Sequence, residues 1–347
     1  MMEYVAVTRR RRIIIAVLLA MLSITSIFSS AVGTARFSVE SIFLGNMDEK
    51  AKFVLFEIRI PRVLMCIVAG SSLALAGHVV QTILRNPLAS PFTLGISASA
   101  AFGAAFAIIF GAGTTIRTYL GGFQITNYTM VIVTAFVFSL LASILILLLS
   151  RRGNFSPVAI VLAGLAMHFL FSASTSLLQY FGTTEQVAAI VFWLFGSLGK
   201  TSWLALQITT VVFISCFAML YRSSWKFNAM VLGEDFANSL GVKSESIRKW
   251  GMAVASILTA TVVSFLGIIA FLCMVSPHIS RLLLGSDDHR YSIPVSCLMG
   301  SLILLCSDTM ARTAFQPLTL PVGILTSFLG VPMFVYLILR RGKGVWV

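Results

Sequence analysis

The sequence predicts an all-α polytopic membrane protein of about ten transmembrane helices, and three observations carry that expectation. Of 347 residues, 58% are hydrophobic and only 11% are charged. A soluble domain carries about a quarter charged residues, so this chain lacks the means to cover a water-facing surface. Its apolar residues come in runs of about 20, the length that crosses a ~30 Å hydrocarbon core as a helix. Its basic residues fall between those runs, biased toward alternate connections.

The runs suggest spans at 13–34, 62–84, 93–111, 128–150, 157–180, 203–221, 249–269, 270–284, 292–313 and 321–339. The first follows Arg9–Arg12; it is too long for a signal-peptide core and no small-x-small cleavage site follows, so a retained helix is expected. The second opens at Arg59-Ile60-Pro61-Arg62, where a proline suits a first helical turn. Small residues crowd Gly70–Ala74, Ser97–Ala105 and Ala163–Ala166, surfaces through which helices approach closely in lipid. The stretch 185–202 suggests an additional short, half-buried helix. The seventh and eighth runs are nearly continuous, with Gly267 as the break between them. The longest polar connections, 35–61 and 222–248, are too short for a soluble domain, so residues 1–347 read as one transmembrane domain.

With the N-terminus inside, that side receives Arg9–Arg12, Arg85, Arg151, Arg152, Arg222, Lys226, Lys243, Arg248, Lys249, Arg281, Arg290 and Arg340 onward, roughly two thirds of the 25 basic residues. Both termini are therefore expected in the cytoplasm. Orientation also accounts for the net charge of +13 without nucleic acid. The five cysteines (Cys66, Cys216, Cys273, Cys297, Cys306) sit in apolar segments with no CxxC spacing, so neither a disulfide framework nor a metal site is expected.

All but one of the 12 carboxylates lie in tails or connections. The exception, Asp308, has Arg312 one turn on and on the same face, which reads as a structural ion pair. Ion-coupled carriers keep ionisable groups at the membrane midplane, so a secondary transporter is the disfavoured alternative. His78 and His168 are mid-span; a hydrogen-bonded helix contact is the simpler reading, and substrate contact by His168 the sharper one. Met167 cannot join His168 on one haem, because neighbours on a helix point ~100° apart. Gly199-Lys200-Thr201 is no phosphate loop, since Leu194 stands where the first glycine belongs. Neither HExxH nor GxSxG occurs, which argues against an intramembrane enzyme.

Within 222–248, the segment Gly233–Gly241 reads as one short helix, with Glu234 and Asp235 favourable to the dipole in its first turn and Gly241 suited to a left-handed stop. Phe236 and Leu240 share one face. A helix lying on the bundle's own surface and a docking knob for a cytoplasmic partner both need that face, and both readings stay open at this point. On the other side, Arg59, Arg62 and Arg312 run against the charge bias. They are either snorkelling cations or a rim that pairs with carboxylates of an extracytoplasmic protein.

In order along the chain, Arg59-Ile60-Pro61-Arg62, Leu73–Gly77, Gln81, Arg85-Asn86-Pro87-Leu88-Ala89-Ser90-Pro91, Leu94-Gly95, Gly233-Glu234, Leu240-Gly241-Val242, Pro277-His278-Ile279, Arg281, Asp288-His289-Arg290, Pro294, Asp308-Thr309, Ala311-Arg312, Leu320–Gly323 and Gly330–Pro332 resemble the FecCD-type permeases. These are type II ABC importer permeases for iron-siderophore, haem and cobalamin uptake, and the ordered set spans nearly the whole chain. The resemblance implies a ten-helix bundle that dimerises around a path lined by helices five and ten, here 157–180 and 321–339. Its implied partners are a second permease subunit, identical or a paralogue, two cytoplasmic ATP-binding subunits and an extracytoplasmic substrate-binding protein, in the inner (cytoplasmic) membrane. No cofactor is expected on this chain, because ATP is bound by the partner.

The same resemblance makes Gly233, Glu234, Asp235, Phe236, Ala237, Leu240 and Gly241 the ATPase-coupling segment. Arg59, Arg62 and Arg312 would meet acidic residues of the binding protein. Asn86, Leu88 and Ser156 match an inner gate, although Pro157 beside Ser156 departs from the cobalamin relative. Ser172, Ser174, Thr175 and Gln179, with His168, would give helix five a mildly polar lining. Iron-siderophore is the expected cargo by family frequency, with haem or cobalamin as the alternative.

Overall fold

The computed structural model describes residues 2–32, 49–111, 118–120, 123–125, 127–314, 316 and 318–340. Its helices are α1 (Met2–Ala31), α2 (Glu49–Leu84), α3 (Ile96–Gly111), α4 (Asn127–Ser150), α5 (Pro157–Phe181), α6 (Thr184–Leu194) and α7 (Trp203–Arg222). After these come α8 (Ser224–Val231), α9 (Glu234–Ser239), α10 (Ser244–Leu266), α11 (Leu272–Leu284), α12 (His289–Thr313) and α13 (Val322–Arg340). A short antiparallel hairpin, β1 (Thr118–Leu120) with β2 (Phe123–Ile125), precedes α4. Seven of these helices are long and apolar enough to cross a membrane, and four shorter apolar helices accompany them. The all-α polytopic architecture follows.

Residues 35–48 of the expected 35–61 connection lie outside the described residues, as do 33–34 and 341–347. The remainder is helical: α2 begins at Glu49 rather than at 62. Pro61 does not open the helix but sits within it, directly after a π-helical turn at Val54–Arg59. An internal proline lacks its N–H and crowds the carbonyl four residues back; the widened turn is where α2 absorbs that crowding. The short helix expected within 185–202 is α6, started by a Thr183–Gln186 capping box.

α2 is the hub. Within its apolar span 83% of residues are buried, against 11% for α1. It packs on α10, α11 and α12, and small residues let the backbones meet. A methyl group on Gly70 would overlap the Gly300 carbonyl of α12, and one on Gly77 the Cys273 carbonyl of α11. Lipid removes the hydrophobic drive between helices, so hydroxyl pairs add the remaining glue: Ser71 with Ser301 at 2.7 Å and Ser143 with Ser256 at 2.7 Å.

α10 stops at Gly267, whose φ of +74° only glycine adopts without strain. The non-helical 267–271 is covered by protein, as backbone at membrane depth must be. Ser197 N–H donates to the Leu266 carbonyl at 2.7 Å, and Gly323 N–H to that of Phe195 at 3.1 Å, tying in the end of α6 and the start of α13.

Candidate functional site

The 222–248 connection folds into α8 and α9. Gly233, at φ +124°, turns the chain between them, and Gly241, at φ +78°, ends the elbow. Ala237 and Val242 are buried and seat α9 on the bundle. Phe236 (47% exposed) and Leu240 (54%) stay outside, joined by Leu232 (66%). The two readings of the shared face thus divide between different residues: α9 rests on the bundle through Ala237 and keeps Phe236 and Leu240 for something else. Leu232 escaped sequence reasoning because it precedes the glycine that starts the helical pattern.

Arg248, in the second turn of α10, is 2% exposed. Its guanidinium pairs with the Glu234 carboxylate of α9. Its Nε donates to the Ile83 carbonyl at 3.2 Å and an Nη to the Phe155 carbonyl at 3.4 Å. Ile83 lies just before the Arg85–Ala89 turn and Phe155 just before Ser156. One buried cation therefore joins the segment matched to ATPase coupling to both segments matched to the gate. In the sequence Arg248 counts only toward orientation.

The gate candidates are turn-formers. Arg85 ends α2 in the left-handed region (φ +48°), and Asn86 Oδ1 accepts the Leu88 N–H at 2.9 Å. Ser156 is the N-cap of α5, its Oγ accepting the Ala159 N–H at 3.3 Å, and Pro157 occupies the first helical turn. The departure at Pro157 is thus a helix-start signal. Along α5, Thr175 is buried, and Thr175 Oγ1 donates to the Phe171 carbonyl at 2.8 Å, as Ser174 Oγ does to that of Leu170. Ser172 and Gln179 are half-buried. The open face of α5 belongs instead to Leu162, Phe169, Leu177 and Tyr180, so it is less polar than the sequence suggests. His168 is half-buried, its ring 6.3 Å from that of Phe92.

At the end of the bundle carrying α9, Asp288 caps α12 and gathers Arg11 of α1 (3.3 Å), Asn228 of α8 (3.1 Å) and Arg290 (2.8 Å). Burial pushes its carboxyl up, but the bonds from Arg290 and Asn228 outweigh that and hold it at about 2. Asn228 Oδ1 also accepts from the His289 N–H (2.9 Å) and lies 2.7 Å from Nδ1 of that ring.

At the opposite end, Asp308 is fully buried. Arg62 reaches it with Nε and one Nη at 3.0 and 2.7 Å, and Arg312 with Nε at 3.0 Å. The free arms of Arg312 donate to the Ser29 and Val32 carbonyls at 3.1 Å, and Arg59 donates to those of Ser30 and Ala31 at 2.9 Å. A helix leaves its last four carbonyls without partners and carries negative charge there. The arginines meet that need at the end of α1, and Arg59 and Arg312 are buried in doing so. The structure places them as internal caps rather than an outward rim; Arg62 is the most exposed of the three, at 14% of its side chain.

A bundle of membrane-length helices, with a buried carboxylate held by arginines at one end and a seated helix offering apolar side chains at the other, defines a polytopic membrane protein. A model of the FecCD transport family matches residues 18–340. A protein of Methanocaldococcus jannaschii described as an ABC transporter permease is 45% identical over 347 residues, 99% of each chain. The hemin transport system permease protein HmuU of Yersinia pestis is 32% identical over 332 residues, 95% of this chain and 96% of its own. A solved chain from a metal-chelate type ABC transporter in an inward-facing conformation matches with a TM-score of 0.83 at 33% identity, covering 94% of this chain and 99% of that one. The chain belongs to the FecCD transport family, and is an ABC transporter permease embedded in a membrane.

Proposed function

We propose that this chain is the permease subunit of an importer that moves a ferric chelate of the iron-siderophore type across the cytoplasmic membrane, driven by a separate ATPase. In this reading ten spans cross the membrane, both termini are cytoplasmic, and two permease subunits, identical or paralogous, pair around the path. Two ATP-binding subunits dock inside and a substrate-binding protein outside. The observation that carries the reading is the seating of α9: Phe236 and Leu240 exposed for a partner, and Glu234 clamped through Arg248 to the turns at Asn86–Leu88 and Ser156. A groove on an ATPase that took those two side chains would move α9, and Arg248 would pass the movement to both turns. The chain contributes binding and gating and no catalysis; ATP stays on the partner, and no cofactor is needed here. At the outer end Arg62 is the arginine placed to meet an acidic residue of the binding protein, while Arg59 and Arg312 hold the surface in shape. The cargo assignment rests on family frequency, with haem and cobalamin as the alternatives.

The test is uptake into proteoliposomes containing the permease, its cognate ATPase and the binding protein. Labelled ferric siderophore should accumulate only with ATP and an intact phosphate loop on the ATPase. Uptake driven by an ion gradient without ATPase would sink the mechanism. Uptake of haem or cobalamin in its place would overturn the cargo alone.

A further inference from the structure

An apolar groove of about 330 Å³ opens on the surface between the last turns of α4 and the start of α10, lined by Ile144, Leu147, Leu148, Arg151, Phe155 and Lys249. Its floor is hydrocarbon: Ile144 and Leu148 are more than half exposed on the side of α4 that faces away from the bundle. Its mouth is cationic. Arg151, in the 3₁₀ turn that follows α4, is exposed and has no acidic partner among the described residues. Lys249 Nζ lies 4.0 Å from the centre of the Phe155 ring, which holds it at the rim. Glu245, 2.5 Å from that ammonium, offsets one charge; Arg152, also exposed, restores the positive excess. The cations sit where the apolar run of α4 ends, the boundary at which a spanning helix meets the headgroup region, and the groove runs from them along the apolar side chains of α4.

We propose that this groove is a binding site for an anionic phospholipid, with an acyl chain along Ile144, Leu147 and Leu148 and the phosphate between Arg151 and Lys249. Three features favour a lipid over another occupant. The size is that of a ligand site, roughly 300 Å³ or more. The apolar length and the charge are arranged end to end, as in a lipid. Basic pockets between spanning helices are where anionic headgroups bind, each cation near the surface contributing about fivefold in affinity. The occupied groove would also brace Phe155 and Lys249, which flank the contacts of Arg248.

The experiment is native mass spectrometry of the full chain in detergent, titrated with phosphatidylglycerol or phosphatidylcholine of matched acyl chains. Phosphatidylglycerol should bind at one copy per chain with about a 25-fold preference, the strength expected of two cations at about fivefold each. The pair Arg151→Gln with Lys249→Gln should remove the preference. A matched charge loss at Arg9→Gln with Arg10→Gln should leave it intact. Leu148→Trp fills the groove without touching the cations and should also displace the lipid, which separates a chain in the groove from a headgroup held at the rim. Inorganic phosphate at millimolar concentration should not compete. Equal binding of the two lipids, retention of phosphatidylglycerol by both the double variant and Leu148→Trp, or displacement by phosphate alone would each overturn the site.

Discussion

Asp308 is the residue on which one end of the molecule is organised. Its carboxylate is fully buried between the guanidiniums of Arg62 and Arg312, and Arg312 also holds carbonyls at the end of α1. Removing one partner of a buried pair leaves uncompensated charge, at a cost of about 3–5 kcal/mol. Asp308→Asn should therefore lower thermal stability in detergent sharply, whereas Arg59→Ala, which leaves the Asp308 pairs with Arg62 and Arg312 in place, should cost less. Equal melting shifts for the two variants would contradict the clamp. Asp288 gives the pH counterpart. Its folded value, about 2, lies below its ordinary 3.8, so its contribution is present above roughly 3.8 and is lost as pH falls toward 2. Wild-type protein should lose stability across that window through the release of α1 and α8 from the α12 cap. Asp288→Asn should show a shallower acid limb in melting against pH. These roles were only partly legible in the sequence. The Asp308–Arg312 pair is local, one turn of one helix. The capping of residues 29–32 by Arg59 and Arg312 joins segments up to 283 positions apart, and nothing in hydropathy or spacing reports such a contact.

At the scale of elements, α9 separates seating from docking. Phe236→Glu with Leu240→Glu changes exposed positions, so the permease should fold and purify as before. Co-purification of the ATPase should fall by about thirtyfold or more, the loss of a buried apolar anchor worth ≥ 2 kcal/mol; survival of the complex would remove α9 from the interface. Arg248→Met asks a different question. It preserves the bulk of a buried side chain while cutting the ties to Glu234, Ile83 and Phe155. The ATPase should still associate and hydrolyse ATP, while uptake per ATP falls by roughly 2- to 30-fold, the range of 0.5–2 kcal/mol in coupling. Unchanged uptake would show that α9 reaches the turns by another route. The position of α9 was readable beforehand, because two glycines, two first-turn acids and an i, i+4 apolar pair are local signals. The latch was not, since an arginine in a basic connection looks like topology. The start of α2 was misplaced for the opposite reason: Pro61 is a strong local signal for a helix start, and the π turn before it lets tertiary packing override that signal.

At the scale of the whole molecule, the distribution of burial argues for a second chain. α2, α10 and α12 are enclosed, with two thirds or more of each apolar span buried, while α5 has only 33% of its span buried. Exposed apolar surface does not by itself demand a partner in lipid, where the tails solvate it as well as another helix would. The proposed path is the reason to expect one. α5 and α13 are the helices matched to that path, yet among the described residues they share no packed interface; α5 lies against α3 and α4, and α13 against α11 and α12. In the proposed dimer a route bounded by both is closed by their counterparts in another subunit, and an isologous pairing about a two-fold axis sets like faces against each other. Single cysteines at Leu177 of α5 or Phe328 of α13, both well exposed, report on that pairing if exposed Cys306 is first replaced by serine. In membranes from cells expressing this chain alone, a short bifunctional thiol reagent should then give a covalent dimer from at least one position. A cysteine at Ile24, exposed on α1, should give none, because α1 lies at the edge of the bundle. If both test positions stay monomeric in this preparation but cross-link when a related permease is co-expressed, the path is built from two different chains. If neither condition yields a product, α5 and α13 do not border the two-fold axis.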